Sequence, residues 1–104
     1  MAQEKECVLK TIGIIQQTTE LFYQQKEKAG FQKMNETVAA ITQMVDILHQ
    51  YKEENASFVY DETQVLKSLT EALGAMEAGD TVLLADILEY DFVEYLQEAV
   101  ATMS

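Results

Sequence analysis

Ala75-Met76-Glu77-Ala78-Gly79-Asp80-Thr81-Val82-Leu83-Leu84 is the stretch that decides the fold. A glycine behind a helical run takes up the left-handed conformation that closes a helix, and aspartate is among the strongest N-caps. Gly79 therefore stops one helix and Asp80 opens the next, which forces a tight antiparallel hairpin. The upstream helix has the clearest start signal in the chain. Asp61 fits its N-cap, Gln64 its third helical position, and Tyr60 is placed to staple onto Val65. It is predicted over 62–78, with Val65, Leu66, Leu69, Leu73 and Met76 inward. The downstream helix, over 81–102, is predicted to bury Leu84, Leu88, Phe92, Tyr95, Leu96, Ala99 and Met103.

The first half repeats the pattern. Val8, Ile12, Ile15 and Phe22 line a helix predicted over 4–28. Lys26 and Lys28 suit the negative end of its dipole, and Gly30 reads as its stop. Met34, Val38, Ile41, Val45 and Leu48 then mark a helix over 32–54, and residues 55–60 form the linker to the second hairpin. Four amphipathic helices with short connections define an all-α protein, an antiparallel up-down-up-down four-helix bundle in one domain over 1–104. The alternative is two helical hairpins pairing as a dimer. Helix one would span about 36 Å and helix three about 25 Å, so part of the longer hairpin would stay uncovered.

Composition narrows the function. The absence of proline suits long helices, and a hydrophobic content of 48% is too high for a disordered chain. Residues 1–52 carry six acids and six lysines, whereas residues 53–104 carry twelve acids and Lys67 alone, so the whole net charge of −11 belongs to the second half. With no arginine and no basic patch, direct nucleic-acid binding is excluded as an expectation. The apolar run 8–15 is broken by Lys10 and preceded by Glu4 and Glu6, which fits neither a signal peptide nor a membrane span. A cytoplasmic location with no membrane partner follows.

No catalytic motif is present. His49, preceded by Asp46, is the only histidine, so the paired Glu-x-x-His signature of di-metal bundles is missing and neither metal nor cofactor is expected. Cys7 lies near Lys5 and Lys10, but a free helical cysteine is ordinarily a small apolar filler. The chain is read as a non-enzyme.

The second half concentrates the candidate contact residues. At about 100° per residue, Asp91, Glu94 and Glu98 share one stripe of the last helix, with Ile87 among them. Asp86 and Glu89 fall on the opposite flank and Tyr90 on the outer side. Phe58 and Tyr60 in the linker, and a weak stripe of Val82, Val93 and Val100, complete the set. Like charges at these spacings cost roughly 0.2–0.5 kcal/mol per pair, and this helix has no lysine to offset them. Two readings stand: a solvated surface, or a docking face for a cationic neighbour.

Leu83-Leu84-Ala85-Asp86-Ile87-Leu88-Glu89-Tyr90-Asp91 resembles the Leu-Ala-Asp-hydrophobic-Leu-Glu-Tyr-Glu helix of short, uncharacterised helical proteins of Gram-positive bacteria, some linked to motility or surface glycosylation. Asp91 stands where that pattern has glutamate. The resemblance covers one helix; it implies a bacterial cytoplasmic accessory protein and supplies no catalytic residue. The resulting expectation is a protein-interaction module, an adaptor or chaperone-like protein whose partner is another protein with a basic surface or helix, with a homodimer as a further option. The alternative is a bundle that binds a ligand or metal between its helices; an acidic mimic of nucleic acid ranks last.

Overall fold

The computed structural model describes residues 2–103, and no strand occurs among them. The elements are α1 (Ala2–Tyr23), α2 (Glu27–Glu54), α3 (Glu62–Ala78), α4 (Thr81–Asp86), a π-helical segment (Ile87–Val93) and α5 (Glu94–Ala101). Ile87 and Glu94 keep right-handed helical dihedrals, so the last three run on as one fourth rod. α1 packs against α2 on one side and the fourth rod on the other, and α3 packs mainly on the fourth rod. The protein is thus an all-α four-helix bundle built from two hairpins. At 1.5 Å per residue, the 28 residues of α2 span about 42 Å and set the molecule's 40 Å long axis.

The first hairpin turns earlier than its glycine suggests. α1 ends at Tyr23, not 28, and α2 begins at Glu27, not 32. The stop is Gln25, held left-handed at φ 63°. The Lys26 N–H bonds to the Leu21 carbonyl at 2.8 Å and the Gln25 N–H to that of Phe22 at 3.0 Å, the paired closure of a Schellman turn. Gly79 makes the same closure at φ 72°, and the Asp80 carboxylate then accepts the Leu83 N–H at 3.0 Å. Asp61 accepts the Gln64 N–H at the start of α3.

Gly30, freed from any role as a stop, lies inside α2 and serves packing. A Cβ placed there would come within 2.5 Å of the Phe22 ring. That ring is 5% exposed and meets Phe31 edge-on at 5.3 Å, so it has little room to swing away. Above this notch Thr18 and Thr37 join α1 to α2 through their hydroxyls at 2.7 Å, with both side chains fully buried. Each hydroxyl also lies 3.0 Å from a carbonyl of its own helix, Ile14 or Lys33. Two protons serve three contacts, so the hydroxyls share them.

The π segment follows from the apolar spacing. Leu84, Leu88, Phe92 and Leu96 recur at four-residue steps and are all essentially buried. In a regular α-helix three such steps drift by about 120°. A wide turn, with the Glu94 N–H reaching back five residues to the Glu89 carbonyl, absorbs one residue and removes about 100° of that drift. The same turn buries Ile87 and Val93 while Val82 stays 69% exposed, so Val82, Val93 and Val100 do not form a stripe.

α3 is rolled away from its predicted orientation. Val65, Ser68, Ala72 and Ala75 face inward; Leu69, Leu73 and Met76 are half-buried, and Leu66 is exposed. Small side chains admit a close approach to the fourth rod. In the linker, the Lys52 ammonium bonds to the carbonyls of Ala56 and Phe58, and Phe58 packs edge-on against Tyr51 at 4.9 Å.

Gly30→Ala gains about 1 kcal/mol of helix propensity but overpacks Phe22 at a cost of about 1–3 kcal/mol. The urea midpoint should therefore fall, and the double variant Gly30→Ala/Phe22→Leu should recover part of the loss.

Candidate functional site: the fourth rod and its flank

The fourth rod sorts its acidic residues into two groups. Asp91, Glu94 and Glu98 are exposed, and among the described residues no lysine pairs with any of them. Glu94 and Glu98 are one turn apart on α5, whereas Asp91 belongs to the π segment and Ile87 has left the stripe for the core. Glu94 and Glu98 also approach the C-terminal end, where the helix dipole disfavours anions.

Asp86 and Glu89 are half-buried and turn toward α1. The Tyr23 hydroxyl donates to the Asp86 carboxylate at 2.8 Å. Partial burial, this bond and the negative charge of Asp86 push the Tyr23 pKa from 10.0 up to about 12. Tyr90 stands beside them at 60% exposure, and Tyr23 is 50% exposed. Between α1 and the π segment lies a shallow concavity of about 580 Å³, walled by Gln16, Glu20, Tyr23 and Gln24 on one side and by Glu89 and Tyr90 on the other.

The two linker aromatics differ from their assignment as contact residues. Phe58 is 2% exposed, a core residue between Tyr51 and Tyr60, because the lysine-tied loop folds its ring inward. Tyr60 is half-buried and stacks on Phe58 at 5.6 Å. Its hydroxyl is buried without a hydrogen-bond partner among the described residues. That burial, with Glu62, Tyr95 and Asp61 nearby, pushes its pKa above the ordinary tyrosine range. Tyr95 does better: its hydroxyl accepts the Asp61 N–H at 2.6 Å, tying α5 to the start of α3. Val59, between Phe58 and Tyr60, is the large apolar side chain of the linker that reaches solvent, at 68% exposure.

His49 bridges the two hairpins. Its Nε2 lies 3.1 Å from Glu53 and its Nδ1 3.2 Å from Glu62, so both nitrogens can donate only when the ring is protonated. Among the described residues no group of three or more His, Cys, Asp and Glu is placed to hold a metal ion. None of the helices described is long and apolar enough to cross a membrane. Sequence reasoning missed the pairing of Tyr23 with Asp86; an i, i+3/i+4, i+7 polar stripe at Gln16, Thr19, Glu20 and Tyr23 was the available signal.

Fold and surface together define a small helical bundle with an exposed carboxylate face and an aromatic concavity at its edge. The chain belongs to the family described as Domain of unknown function (DUF8042), whose model matches residues 2–101. No curated protein and no solved structure matches the chain.

Because folded Tyr23 holds its proton more tightly, its contribution to stability is complete below pH 10 and is lost as the pH rises towards 12. The phenolate absorbance difference between the native chain and Tyr23→Phe should show this late titration, and Asp86→Asn should bring it back towards 10. Tyr60→Phe, which removes a buried unpartnered hydroxyl, should leave the urea midpoint unchanged or raise it. Tyr95→Phe should lower it by the equivalent of about 0.5–1.5 kcal/mol.

Proposed function

We propose that this protein is a non-enzymatic interaction module, a small acidic adaptor or chaperone-like accessory protein that docks a basic surface or helix of another protein on its fourth rod. The observation that carries the reading is the exposed set Asp91, Glu94 and Glu98, paired with no lysine among the described residues, beside exposed Tyr90. A helix retaining like charges toward its own negative end gains from a cationic neighbour. The carboxylates act mainly on association rate and specificity, while apolar neighbours such as Tyr90, Val82 and Leu83 supply contact area. Flagellar and secretion chaperones share this size, acidity and helicity, an analogy of class only. The Leu-Ala-Asp motif of the fourth rod supports a Gram-positive, cytoplasmic setting.

The test is capture of partners from lysate on the native chain and on an Asp91→Lys/Glu94→Lys/Glu98→Lys variant shown to be folded. A basic partner should be retained by the native chain and lost by the variant. Its binding should weaken from about 0.1 M salt, where charges act over about 10 Å, to about 1 M, where they act over about 3 Å. The same partners on both chains, with affinity indifferent to salt, would reduce the stripe to a solvated surface.

A further inference from the structure

Of the nine aromatic residues in this chain, Tyr23 and Tyr90 are the two whose side chains are exposed. Phe22 packs on Phe31, and Phe58 is packed between Tyr51 and Tyr60. Phe92 is buried, and Tyr95 is half-buried and tied to Asp61. Tyr23 and Tyr90 make no ring pair with each other or with another aromatic among the described residues. Both wall the same concavity, one from each side of the α1–rod seam.

The chemistry of that concavity is one-sided. Glu20 and Glu89 line it, Asp86 anchors the Tyr23 hydroxyl at its edge, and no lysine is among the lining residues. The amide groups of Gln16 and Gln24 add acceptors, although Gln24 already donates to Glu20 at 3.0 Å. Two aromatic faces among carboxylates fit a cation that is flat, diffuse in charge and rich in donors. A guanidinium has those properties, whereas an ammonium is a compact and strongly hydrated charge. Asp91, next in the chain to Tyr90, is exposed, so carboxylates continue beyond the concavity toward α5.

We infer that the concavity between α1 and the π segment receives an arginine side chain carried by a basic segment of a partner protein. The inference rests on the docking reading above and names its anchor residue. Tyr90 supplies a ring face, Tyr23 a second one held in place through Asp86, and Glu20 and Glu89 the counter-charge. The wide turn contributes directly, since it carries both the half-buried Glu89 and the exposed Tyr90.

The test is an amide-resolved NMR titration of the full chain with a blocked Gly-Gly-Arg-Gly-Gly peptide and with its lysine and citrulline counterparts. Concentrations up to about 20 mM cover millimolar affinities. Saturable shifts at Tyr23, Glu89 and Tyr90 are expected, with the arginine peptide bound about threefold to tenfold more tightly than the lysine peptide. The neutral citrulline peptide should not bind. Tyr90→Leu, at an exposed position where folding is not at stake, should remove most of the arginine preference. Shifts spread over Asp91, Glu94 and Glu98 and unchanged in Tyr90→Leu would overturn the arginine site while leaving the charged docking face standing. Absence of any saturable shift would also overturn it, and salt-sensitive capture would then decide the docking face separately.

Discussion

Hairpin packing in this protein depends on the register of one helix. Leu84, Leu88, Phe92 and Leu96 must stay on a single face for more than three turns, and an undistorted α-helix would carry the last of them about a third of a revolution away from the first. The wide turn from Ile87 to Val93 removes that conflict. Phe92 and Val93 can then remain in the core where the π segment meets α1 and α3, and Leu96 and Ala99 where α5 meets α1. Without it, Tyr95 and Glu98 would turn towards the places that Leu96 and Ala99 now fill. The same turn places Glu89 and Tyr90 beside Tyr23, so one backbone irregularity shapes both the core and the candidate surface.

Much of the architecture was legible because it rests on local chemistry. Asp61, Gly79 and Asp80 do what their residue types predict, since capping involves a few adjacent atoms and little else. Gly30 misled for an instructive reason: a glycine has two uses, a left-handed turn or a place without a side chain, and only the position of Phe22 distinguishes them. The true turn fell on Gln25, whose residue type gives no warning of a positive φ. On α3 the leucines pointed to one face and tertiary packing chose the adjacent one, because small residues allow a closer approach than leucines.

The candidate site was less legible. Asp91, Glu94 and Glu98 are exposed as helical periodicity predicts, whereas Ile87, which the same periodicity placed among them, is buried. The fate of Asp86 depended on Tyr23, a residue more than sixty positions away, which helical periodicity places on the polar side of α1 without saying what it faces. Phe58 showed the converse. It belongs to a linker by sequence, yet Lys52 gathers the linker carbonyls and turns the ring into the core. The helix over 81–102 was expected to be regular, and its wide turn is a departure that the four-residue steps from Leu84 to Leu96 explain only once all four side chains are seen to be buried.

The separation of charge between the hairpins has a dynamic consequence. A first hairpin with a net charge of −2 over residues 1–54 and a second with −9 over residues 55–104 give the bundle a permanent electric moment in addition to its net charge. A cationic body approaching through dilute electrolyte therefore exerts a torque as well as an attraction, turning α3 and the fourth rod forward before contact. Rotational search is shortened, and encounters begin with the acidic hairpin leading. The lysines of α1 and α2 trail behind it, and their near-balance with local acids keeps the rear of the molecule electrically quiet.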